Sequence, residues 1–377
     1  MIARVALLLG TGCWILSYAL LEMYDRLYLP HAGNHNAMPR LKNASLKIVQ
    51  FADLHFGEDN VKDRTSEWVM REVLSIERPD IVVFSGDQIS GHAIWSAKER
   101  RKHWQQALMP ASSAGIPFAT VFGNHDDQPY QMDPLLWNKV ALGVAAGSAL
   151  AGVFAWCCLH HRGVQIALSL VFFASSVAYL LTVPNRSTRV ELVWGESQDS
   201  PALSMTRQGV VQMHAVSNYK ILLGLGNVSV ALYFIDTGGG WIDERVYEDQ
   251  VKWIRGQRGG LFALAFMHIP PVKFRQAYGK GKCAGMEPRE GVSEVAGSDE
   301  LVDALLQIGV RGVFVGHDHG NQWCCPYKGI QLCYGRHSGM GGYDFDEKSR
   351  GARVIMISVD THGSLHMDTW IREIAVG

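Results

Sequence analysis

Six short apolar runs, each closed by a polar cluster, constrain this chain more than any other feature. Leu46 to Phe51 ends at Asp53-Leu54-His55, Ile81 to Phe84 at Gly86-Asp87, and Phe118 to Phe122 at Gly123-Asn124-His125-Asp126. Further on, Val228 to Ile235 ends at Asp236-Thr237-Gly238, Leu261 to Met267 at His268, and Val310 to Val315 at Gly316-His317-Asp318-His319. Residues 65–78, 98–109, 243–255 and 299–308 carry helical periodicity between these runs, and 353–359 with 365–374 read as a closing hairpin. Strands alternating with helices predict an α/β fold, in which ligands gather at the carboxyl ends of the strands. Gly238-Gly239-Gly240 and the glycines of 339–342 lack the spacing of a phosphate loop and read as turns.

Those strand ends carry chemistry. Five histidines, His55, His125, His268, His317 and His319, fall there with Asp53, Asp87 and Asn124. Mixed nitrogen and oxygen donors without thiolate suit Zn, Fe or Mn, and a carboxylate able to touch two ions is what a two-metal hydrolase requires. The balance of 35 basic against 36 acidic side chains gives a net charge of −1 and no electrostatic footprint for nucleic acid.

The composition, 47% hydrophobic and 19% charged, is more apolar than a soluble domain of this length needs, and the excess is localised. Residues 2–21 carry one charge, Arg4, before Glu22, Asp25 and Arg26, the layout of a cleaved signal peptide or a retained signal anchor over 1–22. Residues 140–159 and 164–183 are each 20 residues long, uncharged, and separated by His160-His161-Arg162-Gly163. Each is long enough to cross a hydrocarbon core of about 30 Å. Together, over 140–183, they predict a transmembrane helical hairpin that interrupts one domain, with parts at 40–134 and 190–377. A hairpin returns the chain to the side it left. Residues 30–138 and 185–377 are then expected in the secretory-pathway lumen or outside the cell, with 160–163 cytosolic. Sequons at Asn43, Asn185 and Asn227 lie on that expected lumenal side and make the chain a candidate glycoprotein.

The ordered set DLH (53–55), GD (86–87), GNHD (123–126), H (268) and GHDH (316–319) resembles the calcineurin-like metallophosphoesterase superfamily. The stretches Cys-Tyr-Gly-Arg (333–336) and Arg-Gly-Ala-Arg-Val (350–354) resemble the small purple-acid-phosphatase-like phosphatases of plants and fungi. The resemblance implies two packed mixed β-sheets flanked by helices. It implies one metal held by Asp53, His55, Asp87 and His319, and a second held by Asp87, Asn124, His268 and His317. Asp87 would bridge the ions, a bridging hydroxide would attack phosphorus, and His125, its ring oriented by Asp126, would assist the phosphoryl group or the leaving oxygen.

Ser90 stands where purple acid phosphatases carry a tyrosinate, so a colourless enzyme is expected, with Fe, Zn and Mn all open as metals. The function implied is a membrane-tethered phosphatase for phosphate monoesters. The alternatives are a phosphodiesterase acting on nucleotides or lipid head groups, and a non-catalytic receptor or sorting protein, which should have lost a ligand. Loops 88–104, 270–298 and 334–346 are expected to select the phosphorylated substrate. In the oxidising compartment that this topology implies, Cys333 is expected to bridge Cys324 or Cys325.

Overall fold

The computed structural model describes residues 40–41, 45–130, 186–209, 213–285, 288–345 and 348–376. The signal segment at 1–22 and the hairpin at 140–183 lie outside them, as do Asn43 and Asn185. Among the described residues no helix is long and apolar enough to cross a membrane. Asn227 is exposed on the turn between two antiparallel strands.

In chain order the elements are β1 (Arg40–Leu41), β2 (Ser45–Phe51), α1 (Asn60–Glu77), β3 (Ile81–Ser85), α2 (Ala97–Ser113), β4 (Phe118–Val121) and α3 (Arg186–Asp199). There follow β5 (Tyr219–Leu225), β6 (Val228–Ile235), α4 (Glu248–Arg255), β7 (Phe262–Met267), α5 (Lys273–Tyr278), α6 (Leu301–Gln307) and β8 (Val310–Val315). The chain closes with β9 (Cys324–Tyr327), β10 (Ile330–Tyr334), β11 (Ser349–Val359) and β12 (Leu365–Ala375).

These strands form two mixed sheets, ordered β1-β5-β6-β7-β8-β10-β9 and β12-β11-β2-β3-β4. The second sheet joins strands from both sides of residues 131–185, since β11 pairs antiparallel with β2.

Alternation along each strand decides which layer a side chain serves. Leu46 and Ile48 face the other sheet, where they join Ile81, Val83, Phe234, Phe266 and Phe314 in the central core. Val49 and Phe51 face outward to Val69, Trp104 and Val193 of α1, α2 and α3. The other sheet buries its outer face against α4, α5 and α6 through residues such as Val251, Phe274 and Leu305. The result is helices, sheet, sheet, helices, as expected for this fold class.

Helix ends follow local chemistry. α1 starts five residues before its expected position because Asp59 caps it, accepting from the amides of Val61 and Lys62 at 2.8 and 3.0 Å. α2 starts at Ala97, just after Ser96, whose hydroxyl caps it by accepting from the amide of Glu99. α4 begins at Glu248, not at 243, because Arg245 bridges to Ala296 as extended chain.

Two disulfides tie the far edge, Cys324–Cys333 and Cys283–Cys325. The first joins residues directly opposite on β9 and β10. The second anchors the 270–298 loop and was not anticipated.

Candidate metal centre

Strands β2, β3 and β4 run parallel in one sheet, as do β6, β7, β8 and β10 in the other, and their carboxyl ends meet. Asp53, His55, Asp87 and His317 sit on the loops just past these ends with φ of 57°, 52°, 54° and 77°. A non-glycine residue in this left-handed region costs of order 1 kcal/mol or more, so the surrounding structure must impose it. Part of that imposition is close packing. A Cβ at Gly86 would collide with the His268 ring, and one at Gly123 would collide with the Asp87 carboxylate, so both motifs need glycine there.

The structure brings all seven expected ligand residues together. One oxygen, Asp87 Oδ2, lies 3.1 Å from His268 Nε2, 3.6 Å from His55 Nε2 and 4.0 Å from His125 Nε2. Donor atoms of Asp53, His55 and His319 lie within 4.8 Å of one another, as do those of Asp53, Asp87 and His268. Asn124 Oδ1 lies 3.0 Å from His268 Nε2 and 3.1 Å from His317 Nδ1.

Hydrogen bonding at the back of the rings shows what the front can do. His268 Nδ1 lies 3.0 Å from the Ser85 carbonyl, and His319 Nδ1 lies 2.7 Å from the Tyr343 carbonyl. A carbonyl only accepts, so both Nδ1 atoms carry the hydrogen. Ser90 Oγ donates to Glu58 Oε1 at 2.6 Å and therefore accepts from His55 Nδ1 at 2.9 Å. In the neutral rings of His55 and His319, Nε2 is then a lone pair pointed inward. His55 Nε2 and His319 Nε2 face each other at 3.2 Å, and His319 Nε2 faces Asp53 Oδ1 at 3.8 Å. Acceptors that face acceptors in a buried site are held together by a cation. The donor set therefore fits a metal centre, with the outer nitrogens of His55, His268 and His319 held by hydrogen bonds behind it.

Protons compete for the same lone pairs. Burial pushes the Asp53 carboxyl up to about 7. Burial works against the His268 imidazolium, but Asp87 outweighs it and raises the ring to about 9. Burial lowers His317 to about 3 and His319 to about 4, which keeps both neutral as ligands require. For Asp87 burial acts upward, yet His268 and His125 hold it well below the usual carboxylate range.

His125 stands apart from the ligands. Its side chain is about a third exposed, whereas those of His55, His268 and His319 are buried. The expected support from Asp126 is corrected by the structure. Asp126 Oδ2 accepts from the amides of Gly123 and Asp87 at 2.7 and 3.1 Å, and Oδ1 accepts from Ile89 at 3.0 Å. With both oxygens turned to backbone, Asp126 fixes the loops bearing Asp87 and Asn124 and does not hold the His125 ring. Burial pushes its carboxyl to about 7.

Three residues beyond those expected shape the centre. Tyr343 stacks parallel on the His319 ring at 3.9 Å, and His337 packs on it at 4.0 Å. The third is Arg189, fully buried on α3, which pairs with Asp236 at 2.6 Å and Asp127 at 2.8 Å and donates to the Gly123 and Gly239 carbonyls. A charged residue at helical spacing gives no sign in the sequence of such a partner set.

Two mixed sheets with carboxylate, amide and imidazole donors at their joined ends define a metallophosphoesterase. The calcineurin-like phosphoesterase profile matches residues 46–321, and the chain belongs to that family of phosphatase-type hydrolases. It is 26% identical over 357 residues to the probable inactive purple acid phosphatase 29 of Arabidopsis thaliana, covering 84% of this chain and 78% of that protein. It is also 26% identical over 326 residues to phosphatase DCR2 of Saccharomyces cerevisiae, covering 77% of this chain and 47% of that one. Among solved structures, a dimetal phosphatase from Danio rerio aligns with a TM-score of 0.43 at 13% identity, over 88% of this chain and 99% of that one.

Proposed function

We propose that this chain is a membrane-tethered phosphatase that hydrolyses phosphate monoesters on the lumenal or extracellular side. The observation that carries the chemistry is the convergence of imidazole nitrogens on Asp87 Oδ2, each ring fixed by a hydrogen bond on its far side. Asp53, His55, Asp87 and His319 would hold one ion, and Asp87, Asn124, His268 and His317 the other, whether Zn, Mn or Fe. When bound, such ions neutralise the phosphoryl oxygens and acidify water to near neutrality.

The chain's own groups do the rest. The backbone amide of His125 donates to Asp87 Oδ1 at 2.8 Å, which fixes the carboxylate plane and leaves Oδ2 facing the imidazole nitrogens. The His125 ring, exposed at the mouth, is placed to donate to the phosphoryl group or the leaving oxygen. The three plant relatives named as probable inactive purple acid phosphatases favour a second, non-catalytic reading. That reading predicts a lost ligand, and all seven ligand positions here hold a donor.

The test is a leaving-group series on wild type and His125→Ala with metal content checked. Proton donation predicts a kcat loss of roughly 10² to 10⁴ that is steepest for alkyl esters, with the ions retained. Full activity at every leaving group would remove His125 from the reaction, and no phosphate release by wild type under any of the three metals would favour the non-catalytic reading.

A further inference from the structure

Three exposed aromatic side chains stand on loops that pack against the metal-binding segment. Trp95 is 68% exposed, Trp241 48% and Tyr130 40%. All three belong to loops packed on the segment that follows Asn124. The Trp95 loop is fixed there because Gly91 donates to the His125 carbonyl at 2.8 Å, and Arg100 donates to the carbonyls of Gly91, Asp126 and Gln128. The Trp95 and Tyr130 rings meet edge to face at 4.9 Å. Trp241 stands on a tight turn closed by the paired amides and carbonyls of Gly239 and Ile242, and Gly239 packs directly on Asn124.

The chain passes from this rim into residues 131–185, which hold the two uncharged runs, and returns at Arg186. The return is short. Three chain steps lead from Val183 to Arg186, spanning at most about 11 Å, and three more along the helix add about 4.5 Å to reach Arg189. Arg189 donates to the Gly123 carbonyl, next to Asn124. A second apolar run that ends at a bilayer surface therefore holds the metal centre within roughly 20 Å of it, head-group distance rather than a domain's width away. Trp and Tyr suit that boundary because each pairs an apolar body with a polar tip.

We infer that the metal centre opens onto the membrane surface with Trp95, Tyr130 and Trp241 as interfacial anchors, and that its substrate is a phosphate monoester carried by a membrane lipid. This rests on the phosphatase reading above. The test reconstitutes the full chain into phosphatidylcholine vesicles and follows two esters of the same head group. One is dioleoyl phosphatidate in the bilayer, and the other is dibutanoyl phosphatidate, monomeric in water. Trp95→Ser combined with Trp241→Ser should raise the KM for the bilayer ester about tenfold, the loss of partial apolar burial at two positions. Turnover of the soluble ester should stay unchanged, and Phe at both positions should restore most of the bilayer activity.

Equal losses on both esters would show that the aromatics serve the site itself or are covered by the rest of the chain, and would overturn the inference. So would a bilayer ester left untouched while the soluble one turns over, which leaves the phosphatase reading standing. If neither ester nor an aryl phosphate is hydrolysed, the phosphatase reading fails and the inference falls with it.

Discussion

The metal centre and the Arg189 cluster share the segment from Gly123 to Asp127, and both bury charge, yet they compensate it differently. At the metal centre the inward nitrogens of His55 and His319 face each other and the carboxylates of Asp53 and Asp87, and what positive charge there is comes from a titratable ring, His268. In the Arg189 cluster the chain supplies its own cation, and Asp236 also accepts from the amides of Val216, Ser217 and Gly238. Both Asp127 and Asp236 are buried. Burial prevails at Asp127, whose carboxyl is raised, whereas Arg189 and the amides hold Asp236 below its usual range. One cluster carries its own permanent cation as the chain folds, and the other is shaped to take ions. A buried charge cluster marks a binding site only where the chain leaves its acceptors facing each other.

The largest effect expected from this contrast is on stability. Arg189→Met strands two buried carboxylates and should cost about 3 to 5 kcal/mol, read as a drop in the urea midpoint. A loss below about 1 kcal/mol would mean the cluster is not the clamp described. Next, chelator-treated protein should be stabilised by added Zn²⁺ or Mn²⁺, by about 2.7 kcal/mol per site at a hundredfold excess over Kd. Unchanged melting with both metals would break the comparison, since both clusters would then be complete alone.

The outward partner of His55 gives a smaller effect. Ser90→Ala removes the group that fixes the Nδ1 hydrogen of that ring and should weaken metal binding by roughly 10- to 100-fold in calorimetry. Unaltered affinity would show that packing alone orients His55.

Asp63 sharpens the comparison with a third case, a buried carboxylate with neither ion nor arginine. Its oxygens accept from the Gly57 amide at 3.2 Å, and its neighbour His103, 3.6 Å away, is lowered by burial and so stays neutral. Burial raises Asp63 from 3.8 to about 6. The folded state binds its proton more tightly than the unfolded one. Stability from this group is therefore full below about pH 4 and is lost as pH rises through about 6. Asp63→Asn should flatten that part of the melting profile by a degree or so, and an identical profile would assign the slope to other groups.

How much of this was legible in the sequence depended on the range of the interaction. The edges of β6 and β8 match the apolar runs residue for residue, because both strands are buried and end in glycine-bearing clusters. The residues gathered at the centre were legible because the fold places each just past a strand end. β9 was missed because Pro326 interrupts a four-residue edge strand, and β5 because the polar cluster that marks other strand ends does not follow it. Asp126 was misassigned because adjacency to His125 suggests a ring contact, while its carboxylate turns back to backbone amides 37 and 39 positions away. Arg189 and the Cys283–Cys325 bridge depend on partners 42 or more residues distant, which no local pattern encodes.

The central claim is that Asp87 is the one ligand the two proposed ions would share. Metal stoichiometry by native mass spectrometry, on wild type and on Asp87→Asn, tests it most directly, with phosphate release followed on the same samples. The account predicts two ions per wild-type chain, at most one in the variant, and phosphate release reduced by roughly 10² to 10³, the scale of removing one transition-state charge contact. A variant that keeps both ions and near-normal turnover would contradict it.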